Sequence, residues 1–155
     1  MKCALNELKI RAKRLFKKER LKPDEHDKQL KHYLQRVSVS LGFDSWQQAS
    51  HVLSGRINIL GNESFGAFFH MQACNALINR WFSSYQDARN ELKVSTESYL
   101  SPYKQQFVVA NTSYLTAIGI DDKSYDLLHR IEGDLIKGYG TPEWDSISLS
   151  IIQNR

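Results

Sequence analysis

Apolar residues recur with a helical period over the first quarter of the chain. Between residues 4 and 20 they share one helical face: Leu5, Leu8, Ala12, Leu15 and Phe16. The segment Lys22-Pro23-Asp24 interrupts the pattern, and Asp24 is placed to cap a second helix. That helix carries its own apolar stripe before it ends at Gly42: Leu30, Tyr33, Leu34, Val37 and Leu41. We expect the two stripes to pack against each other as a helical hairpin.

A short third helix follows the hairpin. Asp44 and Gln47 fit a capping box at its start. Its predicted buried side consists of Trp46, Ala49, Val52 and Leu53. A DNA-reading helix-turn-helix would instead bury the positions occupied by Gln48 and His51 after Gly42, and both are polar. The pattern therefore favours a plain helical corner over a helix-turn-helix.

The middle of the chain predicts two short strands with a helix between them. Residues 75–83 alternate as a strand does, although a helical period fits residues 74–82 as well and stays open. Ser84 with Asp87 is placed to cap a helix that runs to about Val94. Residues 104–110, with the sequence Lys-Gln-Gln-Phe-Val-Val-Ala, predict the second strand.

The C-terminal third predicts helices. Asn111 caps one that Gly119 ends, and further helices are expected over 122–136 and 142–152. Together these elements predict an α+β, mainly helical fold, with an N-terminal helical hairpin and short helix, a small β-α-β-α core and C-terminal helices. We predict a basic helical segment over 1–56 and a small α+β domain over 62–155, with one continuous domain as the alternative.

Charge is distributed unevenly along the chain. The first 36 residues contain 12 of the 21 Lys and Arg but only five of the 17 Asp and Glu, so their net charge is about +7, against about −3 for the rest. Seven cations cover the polar side of the first helix: Lys9, Arg11, Lys13, Arg14, Lys17, Lys18 and Arg20. Such a surface attracts nucleic acid phosphates or, less readily here, membrane headgroups. The commonest alternative is a solvated face, partly paired with the acidic C-terminal part.

Several blocks of the chain resemble a group of small uncharacterised bacterial proteins. The first block runs from Leu8 to Leu53 and joins a basic helix to a Gly-aromatic-x-x-Trp junction at residues 42–46. The later blocks are residues 79–89, 99–109 and 114–119. In other bacterial sequences this basic segment precedes glyoxalase-like regions. The resemblance implies a shared fold and no known activity, because the paired βαβββ modules with metal-binding His and Glu are not found in this sequence.

Few residues point to catalysis. His70 and Cys74 have a ligand-like spacing, but a metal site needs three or four ligands and the sequence offers no second such pair. A Cys-His nucleophile would also need an orienting group and an oxyanion donor. No phosphate-binding loop, dinucleotide fingerprint, nucleophile elbow or zinc motif occurs. We therefore predict no catalytic residue, no metal and no cofactor, and favour a protein that is not an enzyme.

Polar residues embedded in apolar blocks mark the place where a pocket would lie. They are His70, Asn79, Arg80, Trp81 and Tyr103. A buried Asn or Arg must be hydrogen-bonded, so such residues either connect two elements or line a pocket. The structural role is the commoner one.

Composition places the chain among cytoplasmic globular proteins. Its 155 residues, 41% of them hydrophobic, can bury a core of their own. Cys3 and Cys74 are expected to be reduced thiols, because two cysteines make no disulfide framework. Neither a secretory signal nor a membrane span is expected.

Three functions follow from these observations. The leading hypothesis is a non-enzymatic protein that uses its basic N-terminal helical surface on an anionic partner, either nucleic acid or an acidic protein. The alternative is a homo-oligomer or accessory interaction module, suggested by the aromatic residues between 65 and 85. The third is a ligand binder or enzyme with its pocket near Asn79, Arg80 and Trp81.

Overall fold

The computed structural model describes residues 2–155, except for the side chain of Glu25. This part of the chain contains seven α-helices and three strands. The helices are α1 (Cys3–Glu19), α2 (Leu30–Ser40), α3 (Trp46–Leu53), α4 (Tyr85–Val94), α5 (Thr112–Ile118), α6 (Tyr125–Arg130) and α7 (Pro142–Gln153). The strands are β1 (Arg80–Phe82), β2 (Tyr99–Tyr103) and β3 (Gln106–Ala110). Short 3-10 helices lie at Pro23–Glu25, Ile59–Gly61, Gln72–Ala76 and Asp122–Ser124.

The strands form one antiparallel sheet in the order β1-β3-β2. Val108 in the central strand pairs with Trp81 on one side and with Ser101 on the other. Strands β2 and β3 form a hairpin through Lys104 and Gln105, and Lys104 adopts the positive φ of 52° that tight hairpin turns use. The predicted mainly helical α+β class is confirmed.

The predicted β-α-β-α core lacks one strand. The structure has the order β-α-β-β-α, because residues 99–103 form β2, which the pattern does not predict. Pro102 interrupts the strand-like run and has no amide proton, so it is tolerated in edge strands such as β2. The outer side of β2 is covered where Leu100 bonds to Gly133 and Leu135.

The segment 75–83 is only partly a strand. Residues Gln72–Ala76 form a 3-10 helix, and β1 begins only at Arg80. Neither the full strand nor the helical alternative for residues 74–82 is therefore correct. The side-chain amide of Asn79 donates to the carbonyl of Cys74 at 2.9 Å, which connects the turn to the strand.

Two predicted helix starts lie at the wrong residue. Helix α2 begins at Leu30 rather than after Asp24, because Gln29 and His32 form a capping box and residues Pro23–Glu25 form a separate 3-10 helix. Helix α3 is capped by Ser45, whose hydroxyl accepts the Gln48 amide at 3.0 Å. Asp44, the predicted cap, lies one residue too early.

The predicted helix over 122–136 is also too long. Helix α6 ends at Arg130, because Glu132 and Gly133 have positive φ angles of 57° and 68° that an α-helix cannot continue. The Gly133 amide donates back to the Leu128 carbonyl at 2.8 Å and closes the helix. The remaining predicted helices, α1, α4, α5 and α7, are confirmed.

One buried cluster connects the helical hairpin to the rest of the chain. Helix α1 packs against both α2 and α7. Leu8, Tyr33, Phe68 and Trp144 are each no more than 1% exposed within this cluster. The described residues of both predicted segments, 2–56 and 62–155, therefore contribute to the same core, which also includes residues of the sheet and Ala88 of α4.

Candidate functional site

The apolar face of α1 anchors this helix to the core. Leu5, Leu8 and Ala12 are buried, while Leu15 and Phe16 are half-buried against the cluster. The Phe16 ring lies 5.4 Å from the ring of Tyr33 on α2. The predicted packing of the first helix on the second is confirmed, and the opposite face of α1 is left toward solvent.

Four cations form an exposed basic face on α1: Lys13, Arg14, Lys17 and Lys18. Positions three and four residues apart are neighbours on a helix, so these side chains form two adjacent rows. Within residues 2–155 none of the four has a carboxylate partner. Their charge is therefore available to an external anion.

The other three predicted cations of α1 are less available. Lys9 and Arg11 are half-buried, and the Arg11 Nε lies 3.3 Å from the Glu7 carboxylate one turn earlier. The Arg20 guanidinium lies over the Phe16 ring, 5.7 Å from its centroid. Arg20 thus keeps its charge at the surface but has a fixed position.

The acidic C-terminal part contacts α1 through the backbone of that helix. The Asp145 carboxylate accepts the amide protons of Cys3 and Ala4, at 2.7 and 3.1 Å. Two other C-terminal carboxylates are paired with Arg89, Glu132 at 3.7 Å and Asp134 at 3.6 Å. These carboxylates therefore leave the basic face uncompensated.

Three of the five predicted pocket residues lie together. The ring of His70 lies 5.5 Å from Trp81 and 4.8 Å from Tyr103, and the last two rings are 5.4 Å apart. Two hydrogen bonds hold the His70 ring, one between Nδ1 and the Tyr114 hydroxyl at 3.0 Å and one between Nε2 and the Asn75 side chain at 2.9 Å. Both imidazole nitrogens are thus engaged within the protein.

Arg80 lies apart from this aromatic cluster, while the Asn79 side-chain amide donates to the carbonyl of Cys74. Alternate residues of a strand face opposite sides, so Arg80 points away from Trp81. Its guanidinium pairs with Glu91 on α4 and donates to the hydroxyls of Ser95 and Ser98 at 2.9 and 3.2 Å. Arg80 therefore connects β1 to α4 and to the segment that follows α4.

Cys74 is the buried residue of the 3-10 helix Gln72–Ala76. Burial raises the pKa of its thiol, so the thiolate that a nucleophile requires is disfavoured. The environment of Cys74 is that of a packed core residue.

A buried carboxylate network lies where no sequence pattern indicated one. Asp134, 1% exposed, accepts the Tyr85 hydroxyl at 2.6 Å through Oδ2 and the amides of Ile136 and Lys137, each at 2.9 Å, through Oδ1. Burial, reinforced by the hydrogen bond to Asp134, raises the pKa of Tyr85 to about 12. A cavity of about 190 Å³ borders this network beside Arg89. Because the oxygens of Asp134 are already occupied, the network stabilises the fold.

A second basic surface lies at the junction of α2 and α3. Its groove has a volume of about 470 Å³ and is lined mainly by cationic, amide and indole side chains: Lys28, Lys31, His32, Gln35, Arg36 and Trp46. The sequence signal that could have found it is the helical spacing of Lys28, Lys31 and Gln35 ahead of the Trp at the next helix start.

A scan with protein-family models found no match for this chain, and searches of curated proteins and of solved structures found none either. Within residues 2–155, no helix combines the length and the apolar composition that a membrane crossing requires. The same residues contain no group of three or more His, Cys, Asp or Glu side chains placed to hold a metal ion.

Proposed function

We propose that this chain is a binding protein whose basic face on α1 contacts a polyanion, with nucleic acid as the leading partner. The observation that carries the proposal is the division of α1 into two faces. One face is buried against α2 and α7, while Lys13, Arg14, Lys17 and Lys18 are exposed without a carboxylate partner in the described chain. Phosphate contacts of this kind supply affinity and positioning but no base reading, so binding is weakly sequence-specific.

The salt dependence of binding tests this function. Four phosphate contacts predict that affinity for duplex DNA falls about a hundredfold between about 50 and 200 mM salt, because binding releases condensed counterions. Fluorescence anisotropy with a labelled duplex measures this slope. No binding near 50 mM salt contradicts the proposal.

A matched pair of variants locates the binding surface. Lys17→Glu with Lys18→Glu reverses two charges of the basic face, and we expect it to weaken binding and to flatten the salt slope. Lys123→Glu with Arg130→Glu reverses two exposed charges elsewhere and serves as the control. Equal losses in the two variants would assign binding to net charge alone.

An interaction module is the second function, and exposed apolar side chains beside β1 favour it. Ile78 is 91% exposed and Trp81 43% exposed, next to a strand at the edge of the sheet. Light scattering of the wild type and of the Ile78→Ser variant measures the oligomeric state of each. A monomer at high micromolar concentration contradicts this second function.

The proposal includes a cytoplasmic location and a bacterial relationship. Both cysteines are free thiols, as expected for a reducing compartment. The bacterial resemblance rests on the sequence blocks described above. The third function, a pocket near Asn79, Arg80 and Trp81, stays a prediction; against it, the Arg80 guanidinium pairs with Glu91 on α4 and lies on the side of β1 opposite Trp81.

A further inference from the structure

We infer that the groove at the junction of α2 and α3 binds one nucleotide of a single-stranded nucleic acid, with its base stacked on Trp46. This inference rests on the proposed polyanion binding and names the substrate class. The groove volume, about 470 Å³, is within the usual range for small-ligand sites.

Trp46 is a fixed aromatic platform in this groove. The side-chain carbonyl of Gln35 on α2 accepts the backbone amide of Trp46 at 2.8 Å. The indole is half-buried against the core, so part of the ring faces the groove. Stacking on an ordered aromatic ring is how proteins hold unpaired bases of any sequence.

The charge of the groove selects an anionic occupant. Lys31 lines it and has no carboxylate partner in the described chain, while Lys28 and the ion-paired Arg36 also line the groove. Arg36 is held in place by a 2.6 Å contact with Glu19 and by stacking over Tyr33, 5.5 Å from the ring centroid. Cations beside an aromatic ring match the two parts of a nucleotide, its phosphate and its base.

The groove borders the last turn of α1, because Arg36 in its lining pairs with Glu19 of that turn. Arg20 lies over Phe16, Phe16 packs on Tyr33, and Arg36 lies over Tyr33. The two arginines therefore contact the two rings of one aromatic pair. A phosphate backbone that follows the end of α1 can reach Lys31 and the groove. A duplex offers no unstacked base to Trp46, so the groove favours single strands.

Tryptophan fluorescence reports occupancy of the groove. The experiment uses the full chain with Trp81→Phe, because Trp81 is 43% exposed whereas Trp144 is 1% exposed and remains as a shielded reference. The probes are a thymidine oligonucleotide of about 12 nucleotides, a duplex of the same length, and inorganic polyphosphate of similar charge as a polyanion without bases. We expect the single strand alone to quench Trp46.

Substitutions separate stacking from charge. Trp46→Leu should lower affinity for the single strand about tenfold without changing affinity for polyphosphate, and Trp46→Phe should restore most of the loss. Lys31→Glu should weaken both ligands and lower the salt slope by about one, whereas Lys123→Glu serves as the exposed control. Circular dichroism verifies that each variant is folded.

The outcomes distinguish the groove from the basic face. If single strand and polyphosphate bind alike without quenching, and Trp46→Leu binds the strand as the parent does, the groove inference is overturned while the proposed function stands. If Trp46→Leu loses strand binding and Lys17→Glu with Lys18→Glu does not, the groove is supported and the basic face on α1 is not. If no polyanion binds near 50 mM salt, both are overturned.

Discussion

The Asp145 carboxylate on α7 accepts the backbone amide of Cys3 at 2.7 Å and caps the N-terminus of α1. The residue in the local capping position, Lys2, supplies no side-chain hydrogen bond. Asp145 is 7% exposed, and its negative charge lies at the positive end of the helix dipole. The cap of the basic helix thus comes from a residue 142 positions away.

Asp145→Asn tests this distant cap. The amide keeps one acceptor but loses the charge and the second acceptor, so we expect the free energy of unfolding to fall by about 1–3 kcal/mol. Urea denaturation measures the change, with Asp27→Asn at an exposed turn as a control that stays within about 0.5 kcal/mol. Equal stability of the two variants would show that the Asp145 cap does not stabilise the fold.

Leu8→Ala tests the buried face of α1. Leu8 is fully buried, and truncation of a core leucine costs about 2–5 kcal/mol because a cavity remains. Ile10, two residues away and 41% exposed, provides a matched control, and Ile10→Ala should cost less than half as much. Urea unfolding of both variants gives the comparison. A similar loss at both sites would mean that α1 is not packed through the face described.

Charge reversal on the basic face should leave the fold intact. The side chains of Lys17 and Lys18 are exposed and have no carboxylate partner in the described chain, so Lys17→Glu with Lys18→Glu should change the free energy of unfolding by less than about 1 kcal/mol. Thermal unfolding by circular dichroism measures it. A loss comparable with that of Leu8→Ala would make the basic face structural and weaken the proposed function.

Arg155 should be a strong contributor to stability. Its guanidinium donates to the carbonyls of Leu41, Phe68 and Ile118 at 3.0, 2.7 and 3.0 Å. Burial lowers its pKa to about 10, so it remains charged at neutral pH. Arg155→Met leaves three carbonyls without a donor and should cost about 2–4 kcal/mol, with Arg155→Lys intermediate. Thermal unfolding of these two variants, and of Arg130→Met at an exposed site as the control, measures the three losses of stability. An Arg155→Met variant as stable as the wild type contradicts the prediction.

Tyr85→Phe should act on stability in two pH ranges. At neutral pH it removes the donor to the buried Asp134 carboxylate and should cost about 1–3 kcal/mol. The folded-state pKa of Tyr85, about 12, lies above the usual value of 10, so its contribution is complete below pH 10 and is lost as the pH rises toward 12. The pKa values of Tyr114 and Tyr139 are raised as well.

Urea unfolding of the wild type between pH 9 and pH 12, compared with Tyr85→Phe, measures that loss. The free energy of unfolding of the variant should decrease less over this pH range. Some decrease remains, because Tyr114 and Tyr139 also have raised pKa values. The lowered pKa of Arg155 acts in the opposite direction in both proteins, so it cancels in the comparison. Parallel curves would contradict the role given to Tyr85.

Helices whose caps lie close by in sequence could be predicted, whereas contacts between distant residues could not. Ser84 with Asp87 and Asn111 with Gly119 mark α4 and α5 because each cap lies within a few residues of the helix it serves. No local pattern shows that Asp145 caps α1 or that Asp134 accepts a hydrogen bond from the Tyr85 hydroxyl, since those contacts depend on the packing of distant elements.

The candidate sites could be predicted from the sequence only in part. Apolar periodicity predicted which face of α1 is buried, but it did not separate the exposed cations from the half-buried Lys9 and Arg11. Arg80 and Trp81 were grouped as neighbours in sequence, although the alternation of the predicted strand already places them on opposite sides. The groove around Trp46 depends on the angle between α2 and α3, which sequence spacing does not give.

Because Asp145 and the other buried residues of α7 complete the surroundings of α1, α1 depends on a helix that is synthesised long after it. A nascent chain on the ribosome exposes Leu8 and the cations of residues 9–20 long before α7 emerges, and a helix of 17 residues carrying so much like charge is marginal in water. The packing of α1 is therefore completed only after α7 has been translated, so the basic face becomes ordered together with a helix far along the chain.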